Sequence, residues 1–293
     1  RYLLAHEAKI EEIGPGNILT RLVQNIASEA KPLDLRGRIT LTDTMDCLAQ
    51  NNESKERQQS DDLGNRRIKM SAVTLGCEQF RQDYRVKYAY VTGAMYKGIA
   101  SKELVVQMGK AGMLSFFGSG GLSLQEIEAA ISYIQRELVE GQPYGMNLLH
   151  HPNKPEMEEH LVELYLKYGI QNIEAAAFMG ITPALVKYRA HGLRTQADGT
   201  IENIHRIMAK LSRPEVAEAF LSPAEEKLIQ RLTEEGQITS EQAKLLSLVP
   251  MADDICVECD SGGHTDMGVA YVLVPAIMKL RDELQGKYNY SKR

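Results

Sequence analysis

The sequence predicts an α/β fold in which the strands of one parallel sheet alternate with helices, and three observations carry that prediction. Six short runs, at 87–92, 113–117, 144–149, 170–178, 205–211 and 254–259, read as strands and are each followed by a helical pattern. Glycines collect at the carboxyl ends of these runs: Gly93 after the first, Gly118, Gly120 and Gly121 after the second, Gly262 and Gly263 after the sixth. The length, 293 residues, exceeds the usual single domain and suits one α/β barrel with additions.

Taken in order, residues 1–48 form a short leading piece. It reads as a strand, a Gly14-Pro15-Gly16 turn and an amphipathic helix on which Ile18, Leu22 and Ile26 recur every four residues. The stretch 49–67 has almost no apolar residue after Ala49, so it buries too little to offset chain entropy and reads as a linker. The boundaries that follow are 1–35 for the leading piece, 36–76 for the polar linker and 77–293 for the main body. Within that body, Ser123 and Glu126 form a capping box ahead of Ile127, Ala130, Ile131 and Ile134. Met157, Leu161, Leu164 and Tyr168 make an apolar helical stripe, and Thr182-Pro183 supplies an N-cap and an N1 proline. Between the fifth and sixth strands, residues 212–250 exceed the needs of a crossover. They carry three helix-start signals, Ser212 with Glu215, Ser222-Pro223 with Glu225, and Thr239 with Gln242. A helical insertion there fits a lid or docking element as well as a structural excursion.

Composition excludes several function classes. The formal net charge is −5 and no long basic run exists, which argues against nucleic-acid or anionic-membrane binding. No apolar segment approaches the ~20 residues that span a bilayer, and residues 1–14 lack the apolar core of a secretory signal, so the expected setting is cytoplasmic. Four cysteines are too few and too scattered for a disulfide framework. Cys256 and Cys259 have CxxC spacing, but residues three apart on a strand face opposite ways and no second pair completes a metal site. Both read as strand thiols, and no metal is expected.

The stretch 253–268, DDICVECDSGGHTDMG, is the most informative of the chain. A β-prone run ends in an acidic residue, two glycines and a histidine, the pattern of a strand delivering a functional loop at its carboxyl end. Gly262 and Gly263 let backbone approach a flat ligand, and His264 offers a group that titrates near neutral pH. Asn147 follows the third strand and Lys210 ends the fifth, at the same end of the sheet. Sparse polar groups in a glycine-lined, apolar mouth suit an isoalloxazine ring, whose edge needs donors while its faces need flat contact. Lys210 fits a surface salt bridge and Asn147 a turn equally well on sequence grounds.

Four segments carry a family resemblance: YAYVTGAMYKGIAS at 88–101, GMLSFFGSGGLSLQEIEAAI at 112–131, PYGMNLLHHP at 143–152 and ADDICVECDSGGHTD at 252–266. Together they resemble the FMN-dependent barrels of the nitronate monooxygenase-like superfamily, and within it the trans-acting enoyl reductases of polyketide and polyunsaturated-fatty-acid synthases. Residues 1–26 resemble the carboxyl-terminal end of malonyl acyltransferase domains, although no GHSxG-type nucleophile elbow occurs in the chain. On physical grounds alone, an ordinary amino-terminal strand and helix describe them as well. The resemblance implies NADPH- and FMN-dependent reduction of enoyl thioesters on an acyl carrier protein, in concert with other synthase components. It implies that Gly93, Ala94 and Met95 contact the flavin ring, that Asn147 and Lys210 bind its pyrimidine edge and ribityl region, that Gly262 and Gly263 are close-approach positions, and that His264 is the catalytic histidine. His150 and His151 precede Pro152 with no carboxylate at helical spacing and are expected only to cap a strand.

The family's TIM-type (β/α)8 barrel has eight strands, with phosphate-binding loops after the last two. Here the pattern stops after the sixth strand and its helix, so the expectation is a barrel truncated after strand six in a fragment of a longer protein. Two alternatives accompany the reductase: a nitronate monooxygenase using FMN and O2, and a non-catalytic docking module of a synthase.

Overall fold

The computed structural model describes residues 71–259 and 269–290. The leading piece, the linker and the loop holding Gly262, Gly263 and His264 lie outside the described residues. The element order is α1 (Glu78–Tyr84), β1 (Val91–Thr92), a 3-10 turn (Tyr96–Gly98), α2 (Lys102–Lys110), β2 (Leu114–Phe117), α3 (Leu124–Glu137), β3 (Gly145–Leu149), α4 (Pro155–Lys167), β4 (Asn172–Ala176) and α5 (Pro183–Gly192). There follow β5 (Leu193–Thr195), β6 (Ile201–Asn203), β7 (Arg206–Leu211), α6 (Pro214–Leu221), α7 (Glu226–Glu234), α8 (Ser240–Leu246), β8 (Asp254–Val257) and α9 (Ala270–Tyr288). Six strands pair in parallel in the order β1-β2-β3-β4-β7-β8, curling into part of a barrel with helices between them, as the strand pattern implied.

The two faces of this sheet are built differently. Side chains alternate along each strand, and laterally paired residues share a face. Phe117, Met146, Leu148, Ile173, Ala175, Ile207 and Ala209 point to the convex side and merge with Ile127, Ile131, Ile134, Leu161, Tyr165 and Tyr188 of the surrounding helices in one apolar core. Leu114, Phe116 and Met208 point to the concave side, where Tyr84 and Val86 join them in a much smaller cluster. Helix α1 closes the amino-terminal end of that concavity. The Tyr84 hydroxyl donates to Asp254 Oδ2 at 2.7 Å, and the Arg206 guanidinium lies 5.6 Å from the Tyr84 ring centre. The opposite, carboxyl-terminal end stays open to the loops.

Local chemistry explains most helix starts. Ser123 and Glu126 make the full capping box, and Thr239 and Gln242 make a second. Thr182 caps α5 with Pro183 at its first turn. Three expectations need correction. Helix α6 begins at Pro214 behind Arg213 rather than under a Ser212 cap, and α7 begins at Glu226, three residues past Pro223. The buried stripe of α4 is Glu158, Leu161, Val162 and Tyr165, rotated from the all-apolar reading because Glu158 is turned inward by polar partners in the loops. The hairpin β5–β6 has no counterpart in the strand pattern. Its turn is local: Asp198 Oδ1 accepts from the Thr200 amide and hydroxyl, and Gly199 takes φ +82°, which strains any residue with a Cβ.

Candidate functional site at the open end of the barrel

Each strand delivers a different chemistry to the open end. After β1, the Gly93-Ala94-Met95 loop leads into the 3-10 turn, which docks on the loop after β2 through Lys97 and Gly98 amides donating to the Gly120 and Gly118 carbonyls, both at 2.8 Å. This docking accounts for the glycines after β2. A Cβ on Gly118 would lie 1.7 Å from the Met95 carbonyl oxygen, and one on Gly121 2.4 Å from the Tyr96 ring. The expectation that this cluster marks a flat ligand is therefore corrected: Gly118, Gly120 and Gly121 make room for the protein's own turn.

Asn147 sits within β3 rather than after it, beside Glu174 of β4 on the concave face. Its side chain is nearly fully buried. Its carbonyl accepts from the hydroxyls of Ser119 and Tyr165, each at 2.6 Å, and its Nδ2 donates to the Glu174 carbonyl at 3.1 Å and to Glu174 Oε2 at 3.5 Å. The Glu174 carboxylate is 1% exposed, which makes it the most costly group at this end of the sheet. Its Oε2 accepts the Ala94 amide at 2.8 Å, and its Oε1 occupies the space beside Gly93, where an added Cβ would lie 3.0 Å away. Burial raises the Glu174 pKa above the usual carboxylate value, opposed by the positive charge of Lys210 and the Ala94 hydrogen bond.

Lys210, in β7, reaches Glu258 Oε1 at 3.7 Å just past the end of β8, and both side chains are about a fifth exposed (23% and 21%). Cys256 shares the concave face with Lys210. Burial first, and the Glu174 charge second, push its thiol pKa up, so it is held as the neutral thiol. Beside β4, Ala177 adopts φ +62°, an unusual conformation for a residue with a side chain and a local strain of ~1–2 kcal/mol at the mouth. Met95, Tyr96, Ile99 and Met179 project apolar surface from these loops.

Among the expected residues, Gly93, Ala94, Asn147 and Lys210 thus converge around one carboxylate, and Met95 lies exposed at the edge of the same loop. Gly262, Gly263 and His264 lie outside the described residues. Two members of the site, Glu174 and Glu258, were not anticipated. A lone carboxylate inside the apolar run of β4 was the available signal, because an unpaired buried charge is so seldom tolerated. The reading of His150 also changes. Its Nδ1 lies 2.7 Å from Glu158 Oε1, which also accepts the His151 amide at 2.7 Å, while Oε2 accepts the Thr182 hydroxyl at 3.0 Å. The carboxylate partner exists, eight residues away across a loop, and it ties the loops after β3 and β4 together.

The donor set fits an isoalloxazine ring in chemical kind. A cation and a backbone floor suit an electron-rich heterocycle edge, and the surrounding surface is apolar. Among the described residues, no helix is long and apolar enough to cross a membrane.

No protein-family model matches the chain. It is 47% identical over its whole length to the polyketide biosynthesis protein PksE of Bacillus subtilis, of which it covers 37%. It is 48% identical over 216 residues to the polyketide biosynthesis protein ThaF of Burkholderia thailandensis, covering 74% of this chain and 18% of ThaF. Over another 216 residues it is 46% identical to a component of the polyunsaturated fatty acid synthase of Thraustochytrium, covering 74% of this chain and 14% of that protein. Among solved structures, the enoyl reductase domain of MlnA from the macrolactin biosynthesis cluster of Bacillus amyloliquefaciens superposes with a TM-score of 0.72 at 41% identity, covering 76% of this chain and 50% of that one. The chain spans well under half the length of these curated relatives.

Proposed function

We propose that this chain, which belongs with the enoyl reductases of polyketide and polyunsaturated-fatty-acid synthases, forms the ring-binding part of a site that reduces enoyl thioesters on an acyl carrier protein with NADPH and FMN. One observation carries the reading: in a barrel like that of a known enoyl reductase domain, Gly93, Ala94, Asn147 and Lys210 gather at the open end around a single buried carboxylate. FMN, when bound, supplies the hydride that NADPH provides.

The chain's own residues have distinct tasks in this reading. The Gly93–Ala94 backbone gives a flat surface, fixed from behind by Glu174. Lys210 offers a positive charge to the electron-rich pyrimidine edge, while Glu258 keeps that charge oriented. Asn147 sets the height of the ring through hydrogen bonds that leave its amide little freedom. Reduction places negative charge on the thioester oxygen. His264 is the residue assigned to stabilise it or to move the proton to Cα, a contribution of ~3 kcal/mol for a well-placed donor.

The test is direct. The purified protein is mixed with FMN, its visible spectrum recorded, and NADPH consumption followed with a trans-2-enoyl thioester. The expected result is a flavin spectrum and consumption that depends on both FMN and thioester, with His264→Ala keeping the flavin and losing most turnover. Oxygen uptake with a nitronate and none of the thioester activity would contradict the reductase assignment.

A further inference from the structure

We propose that Glu174 is the positioning residue of this site, a strut across the barrel mouth whose reach, rather than whose charge, holds the Gly93–Ala94 backbone against the ligand. The proposal rests on the flavin reading above and deepens it. Ala94 follows β1, and β1 is separated from β4 by two intervening strands in the sheet. Along the curved sheet that separation is about three strand spacings, or roughly 14 Å. Glu174 Oε2 nevertheless accepts the Ala94 amide at 2.8 Å, so the side chain spans the concavity as a chord. Without it, the 93–95 loop would be held from the β2 side alone, through the docked 3-10 turn.

Three further features converge on the same carboxylate. Gly93 lacks a Cβ where Glu174 Oε1 sits, so glycine permits the strut to lie close against the loop. Asn147 Nδ2 donates to both the carbonyl and the carboxylate of Glu174, which restrains its side chain from the β3 side. Burying a carboxylate costs several kcal/mol unless hydrogen bonds and a neighbouring charge offset it, and Ala94, Asn147 and Lys210 supply those compensations together. A group retained at such cost, with its hydrogen bonds aimed at the ligand-facing loop, is built to set that loop's position.

Two conservative variants separate reach from charge. Glu174→Gln keeps the length and an acceptor oxygen for Ala94 but removes the charge. Glu174→Asp keeps the charge but withdraws it by one methylene. The readouts are amide hydrogen exchange at Ala94 in the flavin-free protein and the FMN dissociation constant from fluorescence titration. In Glu174→Gln, both remain within about threefold of the parent protein. In Glu174→Asp, exchange at Ala94 accelerates and FMN binding weakens, each by about ten- to a hundredfold, the range for losing a hydrogen bond to a charged or buried carboxyl group. A Gln variant as impaired as the Asp variant, or an Asp variant indistinguishable from the parent, overturns the strut. A parent protein that fails to take up FMN sinks the flavin reading, whereas the exchange comparison at Ala94 still decides the strut.

Discussion

The convex and concave faces of the same six strands show how one strand sequence serves two purposes. In β4, Ile173 and Ala175 enter the convex core, while Asn172, Glu174 and Ala176 face the concavity. The convex side solves a packing problem with interchangeable apolar groups. The concave side holds an apolar plug at one end and a charged mouth at the other, and each charged group there has a named partner. Cost is therefore distributed unequally: stability is concentrated on one face, and the expense of burying charge is concentrated where a ligand would meet the sheet.

The contrast can be broken first at a charge buried for stability. Arg189 of α5 and Asp253 form an ion pair at 2.6 Å with both side chains 3% exposed, and Asp253 also receives the Ile207 amide and Asn203 Nδ2. Arg189→Met leaves Asp253 without its cation and lowers unfolding free energy by ~3–5 kcal/mol in urea titrations. On the convex face, Ile131→Ala removes a fully buried side chain at a cost of ~3 kcal/mol. Met208→Ala, in the smaller concave cluster, costs ~2 kcal/mol, nearer the low end of such truncations because fewer neighbours surround it. Equal losses at Ile131 and Met208 would erase the difference between the faces.

Titration sharpens the same comparison with opposite signs. His205, stacked on Tyr188, has its pKa lowered by burial to about 4 from 6.5. Its contribution to stability is present above the unfolded value and is lost as pH falls from 6.5 through 4, by up to ~3 kcal/mol. Urea melts at pH 7 and pH 4.5 measure it, and His205→Gln flattens that dependence. Glu174 behaves in reverse. Its pKa is raised, so its contribution is present below 4.5 and is lost as pH rises through the higher folded value. The effect is the smallest of the set because Lys210 opposes the burial, and Glu174→Gln removes it.

The strands were legible because each pairs a β-prone run with a following helix, and the caps at Ser123, Thr182 and Thr239 are local hydrogen-bond patterns that the residue types encode. The hairpin β5–β6 escaped notice because its strands are three residues each and only Asp198-Gly199 announces the turn. The glycines after β2 were misread for a physical reason: glycine signals close approach but not what approaches, and here it is Met95 and Tyr96. Glu174 and Glu258 depend on which loops the curled sheet brings together, and the pairing of His150 with Glu158 spans eight residues without helical spacing. Such partners follow from tertiary geometry, which no local pattern records.

The most direct test of the central claim, that the charged concave mouth is a reductase site, is anaerobic single turnover of the FMN-loaded protein. The account predicts that NADPH bleaches the visible flavin absorption and that a trans-2-enoyl thioester restores it while becoming saturated, with Lys210→Met weakening FMN uptake. A protein that takes up no FMN, or whose bleached flavin is indifferent to the thioester and recovers only with oxygen, would contradict it.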